Sequence, residues 1–324
     1  MFPGYEAMWK SWKIRSRFFS KLQVHLNLGP RYVLLAVAGR IHAMRIFVQW
    51  LARTRHSPGS RRPNRAVSAM ADFDPGIGAK TLKKDGVLTG LRLKDSVHSE
   101  LRDALFGQLC YGSADLRYPF FYSHKSDAER RYGQRFLQGH YYGIGTPGSA
   151  ANHVVDDARL NHLLREYFRT QPRLVGMRAW WNFACDASHQ DRINAAQEFH
   201  YDVDDYLALS VFFYLTDVDD SAGPHIVVRG SHGRKPLRHV LSLSRCRTHK
   251  EMLDIYGADR LQVICGQAGA GFIEDSFCFH KGQEPTARDR LVFQLRYALH
   301  DYGTGSDSAH REWMAADRRP VSSF

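Results

Sequence analysis

The chain has 324 residues, of which 44% are hydrophobic and 24% charged, a composition typical of a soluble globular protein with a sizeable core. No apolar run reaches the roughly 18 residues of a transmembrane helix, and the five cysteines are scattered without a CxxC pair. These features argue against a membrane-spanning protein and against a disulfide framework. They favour a cytoplasmic protein in a reducing compartment.

The net charge of +12 belongs to the N-terminal segment alone. Residues 1–65 contain 13 of the 45 Lys and Arg residues and a single acid, Glu6, whereas the rest of the chain contains 32 basic and 32 acidic residues. A pI of about 9.6 would suggest a nucleic-acid partner, but the folded body is neutral. We therefore expect no nucleic-acid binding.

The first 57 residues have an amphipathic helical pattern in which Arg and Lys recur between aromatic and aliphatic residues. This pattern predicts peripheral association with an anionic membrane surface. Two other interpretations remain open: an organelle-targeting segment, and translation that begins at Met70, which would make residues 1–69 non-native. The predicted organisation is a basic segment with its linker over residues 1–65, one folded domain over 66–305, and a polar tail over 306–324.

Helices are predicted early in this domain and strands later. Residues 95–109 form one predicted helix, capped by Asp95 or Ser96, and residues 154–170 form a second. The aromatic, irregular stretch 112–150 is typical of a lid. Short β-type segments separated by Gly or Pro then follow, which predicts a mainly β fold of antiparallel strands with flanking helices, a sandwich or a barrel.

A histidine followed two residues later by an acid is a candidate half of a metal site, but the sequence contains five such pairs: His98/Glu100, His189/Asp191, His200/Asp202, His249/Glu251 and His310/Glu312. Residues i and i+2 share a face in a strand and diverge in a helix. Two pairs lie in helical patterns, one in a loop and one in the polar tail. Only His200/Asp202 adjoins a predicted strand.

Two later residues extend this pair. A non-haem Fe(II) site of the 2-His-1-carboxylate type needs a second histidine, and His280 ends a predicted strand. After a polar turn, Arg290 begins the next strand. Its guanidinium can pair with a carboxylate through two parallel hydrogen bonds.

The ordered set of motifs resembles the phytanoyl-CoA dioxygenase family of Fe(II)/2-oxoglutarate oxygenases over roughly residues 80–302. The matching stretches are FHYDVDD (199–205), LSVFFYLTDVDD (209–220), SAGPHIVVRGSH (221–232), HKGQEP (280–285) and DRLVFQLRYA (289–298). The resemblance implies a cupin-like double-stranded β-helix, a jelly roll. It implies that His200, Asp202 and His280 bind the iron.

The same resemblance places Arg290 on the distal carboxylate of 2-oxoglutarate and Tyr214 beside this cosubstrate. Tyr201 stands where the family more often has Gln. Arg288 is an alternative to Arg290, because the turn after His280 differs slightly in length from that of the family.

The implied function is a 2-oxoglutarate-dependent dioxygenase that uses Fe(II) and O2, hydroxylates a C–H bond of a small-molecule, lipid or glycan substrate, and converts 2-oxoglutarate to succinate and CO2. Mn, Co or Ni could occupy the same ligands. Two alternatives remain: a non-catalytic cupin-like binding protein, and a metal-dependent oxygenase that does not use 2-oxoglutarate. The sequence does not indicate an oligomeric state.

Overall fold

Helices dominate the first half of the chain and strands the second. The computed structural model describes residues 30–55, 68–145, 148–185, 198–242 and 244–302. The helices are α1 Pro30–Ala38, α2 His42–Arg55, α3 Pro75–Asp85, α4 Asp95–Phe106, α5 Lys125–Tyr132, α6 Ala150–Val155, α7 Ala158–Phe168, α8 Leu237–Leu241 and α9 His249–Tyr256. The strands are β1 Val87–Arg92, β2 Cys110–Gly112, β3 Pro119–Phe120, β4 Gln138–Tyr141, β5 Arg173–Asn182, β6 Ala208–Tyr214, β7 His225–Val228, β8 Leu261–Ile264, β9 Ala270–Asp275, β10 His280–Gly282 and β11 Arg290–Ala298.

These strands form two antiparallel sheets. The large sheet has the order β1-β9-β6-β11-β5-β4-β2-β3, and the small sheet has the order β10-β7-β8. The prediction of antiparallel strands with flanking helices is confirmed. Both sheets come from residues far apart in sequence, so side chains from several strands can meet between them.

Strand β6 shows how the layers are arranged, because it is buried on both faces. Leu209, Val211 and Phe213 pack into the cluster that contains the helices. The alternate residues Phe212 and Tyr214 pack into a second cluster together with residues of β7 and β8. Alternation along the strand therefore places helices on one side of the large sheet and the small sheet on the other.

Two helix predictions need correction. The first helix begins at Asp95 with Lys94 as its N-cap, and it ends at Phe106. The second predicted helix is two helices, because the buried Asp157 interrupts it and accepts hydrogen bonds from the amides of Arg159 and Leu160, both at 2.9 Å. A carboxylate in this position satisfies the unpaired amides of a helix start, so a new helix begins at residue 158.

The predicted lid is also partly wrong. Residues Gln138–Tyr141 form β4, which pairs with β5 in the large sheet. Phe120 and Phe136 of this region are buried in the core. These aromatic residues are therefore part of the core and do not form a cover on top of it. Their rings stack at 5.2 Å.

Helices α1 and α2 pack on the small-sheet side of the body. Leu35 is buried in a cluster with Phe199, Tyr201 and Phe279. Arg45 is 4% exposed, and its Nη2 lies 3.6 Å from Oδ1 of Asp275. Residues 30–55 therefore share a core with residues that follow position 66, whereas the predicted linker and the C-terminal tail lie outside the described residues. No helix in the described ranges is long and apolar enough to cross a membrane.

The Arg45–Asp275 pair yields a prediction about stability. Asp275 also accepts hydrogen bonds from the Tyr167 hydroxyl at 2.7 Å and from the Phe277 amide at 2.9 Å. Removal of one partner leaves a buried charge uncompensated. We expect Arg45→Ala to lower the free energy of unfolding by about 3 kcal/mol, measured by urea denaturation.

The matched control is Arg92→Ala, because Arg92 pairs with Asp95 at the exposed surface. This variant should change stability by less than about 0.5 kcal/mol. If both variants lost the same small amount of unfolding free energy, the packing of α2 would not depend on its buried arginine.

Candidate metal centre

The backbone brings two predicted ligands face to face. His200 and His280 are partners in an antiparallel bridge: the His200 amide donates to the His280 carbonyl at 2.9 Å, and the His280 amide donates to the His200 carbonyl at 2.8 Å. Two residues further on, the Asp202 amide donates to the Ser276 carbonyl at 2.8 Å. The segment that carries His200 and Asp202 is therefore held to the turn that precedes β10.

Each imidazole directs its Nδ1 toward the carbonyl oxygen two residues earlier in the chain, although the two ring planes meet at 62°. Nδ1 of His200 lies 2.9 Å from the Glu198 carbonyl oxygen, and Nδ1 of His280 lies 3.0 Å from the Cys278 carbonyl oxygen. A carbonyl oxygen only accepts hydrogen bonds, so each Nδ1 carries the proton. Each Nε2 is left with a lone pair for a metal ion, and the carbonyl fixes the ring as in other metal sites.

His200, Asp202 and His280 form a group that could hold one metal ion. Their candidate ligand atoms all lie within 4.8 Å of one another, and Nε2 of His280 is 3.8 Å from Oδ2 of Asp202. Burial alone would raise the pKa of Asp202, but the neighbouring histidines and Arg245 outweigh it and lower this pKa to about 2. Burial also lowers the pKa of His280. An ionised carboxylate and neutral imidazoles are the forms that bind metals.

The three residues open onto a cavity of about 230 Å³ between the two sheets. Its other polar lining residues are Gln138, His140, Arg178, Asn182, Ser210, His225, Glu274, Arg290 and Gln294. Its apolar lining residues are Trp180, Phe212, Tyr214, Phe272 and Val292. Seven strands contribute to this wall, and β10 also brings Gly282.

Arg290 lies in the wall of the cavity. Its side chain is buried, and Nε and Nη1 have no hydrogen-bond partner among the described residues. When the Asn182 amide is oriented so that its oxygen accepts a hydrogen bond from Nε1 of Trp180, the same oxygen lies 3.3 Å from Nη2 of Arg290. A Cβ on Gly282 would lie 3.0 Å from Nη2, so this glycine leaves room for the guanidinium. A buried cation with unused donors creates a site for an anion.

The alternative arginine lies elsewhere. Arg288 is on the surface, where it forms an ion pair with Asp219 and donates to Oγ of Ser221 at 3.1 Å. It is not part of the cavity wall. Tyr214 does line the cavity, but its hydroxyl donates to the Ile264 carbonyl at 2.8 Å and accepts from the His225 amide at 3.0 Å. The ring of Tyr214, rather than its hydroxyl, is therefore available to a ligand.

Glu274 and His225 form a polar pair in this cavity that was not among the predicted site residues. Oε2 of Glu274 lies 2.8 Å from Nε2 of His225, and its other oxygen lies 3.8 Å from Nδ1 of His280. Burial raises the pKa of Glu274 to about 7 and lowers that of His225 well below its usual value. The signal available in the sequence was Glu274, an acidic residue within the strand-forming stretch GFIEDSF. A polar group that is expected to be buried indicates a functional site more strongly than a buried apolar group does.

No family model matches the chain, and no curated protein is similar to it. Several solved structures are similar to it in fold. The epimerase SnoN from nogalamycin biosynthesis, described as non-heme and alpha-ketoglutarate-dependent, is 16% identical, with 69% of this chain and 82% of that chain covered and a TM-score of 0.46. HygX from Streptomyces hygroscopicus, solved with nickel and 2-oxoglutarate bound, is 15% identical, with 68% and 85% covered and a TM-score of 0.45. AviO1 from Streptomyces viridochromogenes is 12% identical, with 70% and 96% covered and a TM-score of 0.43. These similarities are distant, so the chemistry of the site has to follow from its own residues.

The geometry predicts a single divalent-metal site. Metal-free protein should bind one equivalent of Co(II) or Ni(II), measured by competition with a chelating dye. Asp202→Ala and His280→Ala should each weaken metal binding roughly 100-fold or more. Loss of a group that only hydrogen-bonds to a metal ligand costs about 10–100-fold in affinity, and each of these variants removes a ligand itself. The control is His98→Ala, because this histidine also precedes an acid by two residues but lies on helix α4. Unchanged affinity in Asp202→Ala would contradict the site.

Proposed function

We propose that the protein is an Fe(II)- and 2-oxoglutarate-dependent dioxygenase with a cupin-like double-stranded β-helix, related to the phytanoyl-CoA dioxygenase family. One observation carries the proposal. A single cavity contains the His200–Asp202–His280 group and a buried Arg290 whose Nε and Nη1 have no partner among the described residues.

The ligand set fits Fe(II). Two neutral imidazoles and one carboxylate on one side of an ion leave positions open for a chelating cosubstrate and for O2, although Mn, Co or Ni could bind the same atoms. When iron is bound, it supplies the redox chemistry that couples decarboxylation of 2-oxoglutarate to oxidation of a C–H bond, with succinate and CO2 as products.

Arg290 fits the cosubstrate. Its buried guanidinium would pair with the distal carboxylate of 2-oxoglutarate, and this contact would offset the cost of burying the cation. The ring of Tyr214 would form a wall beside the chain of the cosubstrate. The distal carboxylate would then be held at one end of the cavity while the keto acid end lies at the metal ligands, which fixes the orientation of the cosubstrate.

The neutral His225–Glu274 pair is compatible with this arrangement. A dianionic cosubstrate would be repelled by a second ionised carboxylate in the same cavity. The burial that raises the pKa of Glu274 favours its neutral form. This buried carboxyl would therefore oppose the charge of 2-oxoglutarate less than a fully ionised carboxylate would.

The wall formed by β4 and β5 is partly polar. These strands contribute His140 and Arg178 to the lining, and Trp180 stacks near His140 with a centroid distance of 6.5 Å. Hydrogen-bonding groups next to an aromatic face are suited to a hydroxylated small molecule, including a glycan or a lipid headgroup. We propose hydroxylation of such a substrate.

The test is an anaerobic titration with Fe(II) and then 2-oxoglutarate. Wild-type protein should develop the visible charge-transfer band of a chelated keto acid. His200→Ala should lose the band because a ligand is missing. Arg290→Ala should keep its iron but need at least about tenfold more 2-oxoglutarate, since a charge-assisted bidentate pair is lost, and Arg290→Lys should recover part of the affinity.

Arg288→Ala is the matched control, because this arginine lies two residues away but on the surface, and its titration should equal that of the wild type. A folded, iron-loaded wild-type protein without the band would reject 2-oxoglutarate chemistry. That result would favour a non-catalytic binding protein or an oxygenase that uses no keto acid. Weaker cosubstrate binding in Arg288→Ala alone would assign the contact to Arg288 instead.

A further inference from the structure

Helix α2 exposes an apolar stripe that the described residues leave uncovered. Ile46, Phe47 and Trp50 are 52%, 53% and 56% exposed, and the rings of Phe47 and Trp50 stack at 6.1 Å. The helix cannot rotate to bury them, because its opposite face holds Arg45 in the ion pair with Asp275 and Ala52 in the core. The packing of the inner face therefore keeps the apolar stripe facing outward.

Neighbouring helices add to this surface. The turn between α1 and α2 is tied to the end of α8 by a 2.7 Å hydrogen bond from Nη1 of Arg40 to the Ser242 carbonyl. Apolar side chains on both sides of this contact are also exposed: Leu34, Val37, Ile41, Leu237 and Leu241. We call these residues, together with Ile46, Phe47 and Trp50, the apolar ridge. Apolar surface on this scale marks an interaction site more often than a solvated face.

A basic groove lies beside helix α2. Its cationic lining residues are Lys83, Lys84, Arg229, Arg234 and Arg260. His232 and Lys235, whose pKa burial lowers to about 7, also line it, and the lining contains no acid. The groove adjoins the first turns of α2, since Lys235 Nζ and the Arg45 guanidinium lie 4.1 Å and 3.7 Å from the centre of the same Phe277 ring.

The groove also adjoins the far end of α2. Arg53 donates to the Phe168 carbonyl at 3.3 Å, and Lys83 donates to the Glu166 carbonyl at 2.9 Å, so both cations reach the last turn of α7. Cations are thus present along the length of the helix. The exposed carboxylate of Glu166 offsets only one of them.

We propose that this face docks on an anionic phospholipid bilayer. The apolar ridge would enter the boundary between headgroups and acyl chains, where Trp is favoured, and the basic groove would contact lipid phosphates. Apolar area together with clustered cations is the combination that holds a peripheral helix on such a surface.

Electrostatic complementarity favours an anionic bilayer over two other possible partners of this face, a second copy of the chain and residues 1–29. A second copy docked about a two-fold axis would place like-charged grooves close together. Residues 1–29 contain five Lys and Arg residues and one acid, Glu6, so a cover formed by this segment would be repelled by the groove. A bilayer with anionic headgroups satisfies both the ridge and the groove. This proposal does not depend on the metal chemistry.

The experiment is co-sedimentation of the full-length protein with vesicles of phosphatidylcholine alone or mixed with phosphatidylserine. We expect binding to the mixed vesicles that weakens with salt, and little binding to phosphatidylcholine. The double variant Phe47→Ser/Trp50→Ser should reduce binding at least tenfold without a change in thermal midpoint, because both side chains are exposed. Lys84→Glu/Arg234→Glu should reduce binding and its dependence on salt.

The matched control is Leu109→Ser/Phe121→Ser, which removes two side chains of similar exposure, 40% and 41%, away from the ridge. It should bind vesicles as the wild type does. No binding of the wild type to anionic vesicles would overturn the proposal. So would a dimer that Phe47→Ser/Trp50→Ser converts to a monomer without any effect on vesicle binding, because the ridge would then serve a second copy.

Discussion

The reciprocal pair of backbone hydrogen bonds between His200 and His280 is the constraint on which the candidate site depends. These bonds join two segments separated by about eighty residues of chain. They set the two imidazoles on the same side of the bridge, and local carbonyls then fix both rings with Nε2 directed away from the backbone. Main-chain groups thus determine where His200 and His280 lie relative to each other and how their rings are oriented. Side-chain substitutions elsewhere leave these main-chain groups in place.

Asp275, Glu274 and Arg290 are buried ionisable groups near this bridge, and each is stabilised in a different way. Asp275 is ionised and pairs with Arg45. Glu274, the preceding residue, lines the cavity and contacts His225, and burial raises its pKa to about 7, toward the neutral form. Arg290 has only part of its hydrogen-bonding capacity used by the described residues. Buried charge is costly unless it is compensated, so the incomplete pairing of Arg290 is the feature that points most directly to a ligand.

Helix α2 connects the site with the surface. Its inner face supplies Arg45, whose partner Asp275 immediately precedes Ser276, and the Ser276 carbonyl accepts the hydrogen bond of the Asp202 amide. Its outer face carries Phe47 and Trp50. One short helix therefore contributes to the support of a metal ligand and to an exposed apolar surface. Part of the basic segment predicted from the sequence, His42–Arg55, is in the structure a helix whose inner face packs against the body and whose outer face is exposed.

Several strands and the candidate metal ligands could be predicted from the sequence alone, whereas β4 and the helix break at Asp157 could not. The apolar, β-branched and aromatic run LSVFFY predicted β6. Context singled out His200/Asp202 among five similar pairs, because only that pair adjoins a predicted strand. Local pattern did not determine where helices break, since Asp157 competes for backbone amides as a cap.

Only the tertiary structure decided which residues meet. Arg290 was the predicted cosubstrate ligand and Arg288, two residues away, its alternative; the first lines the cavity and the second pairs with Asp219 at the surface. The partnership of Glu274 with His225 and the packing of Arg45 against Asp275 are likewise invisible in the chain. Periodicity reports which face of an element a residue occupies, whereas contacts across tens or hundreds of residues depend on strand pairing and packing that no local pattern encodes.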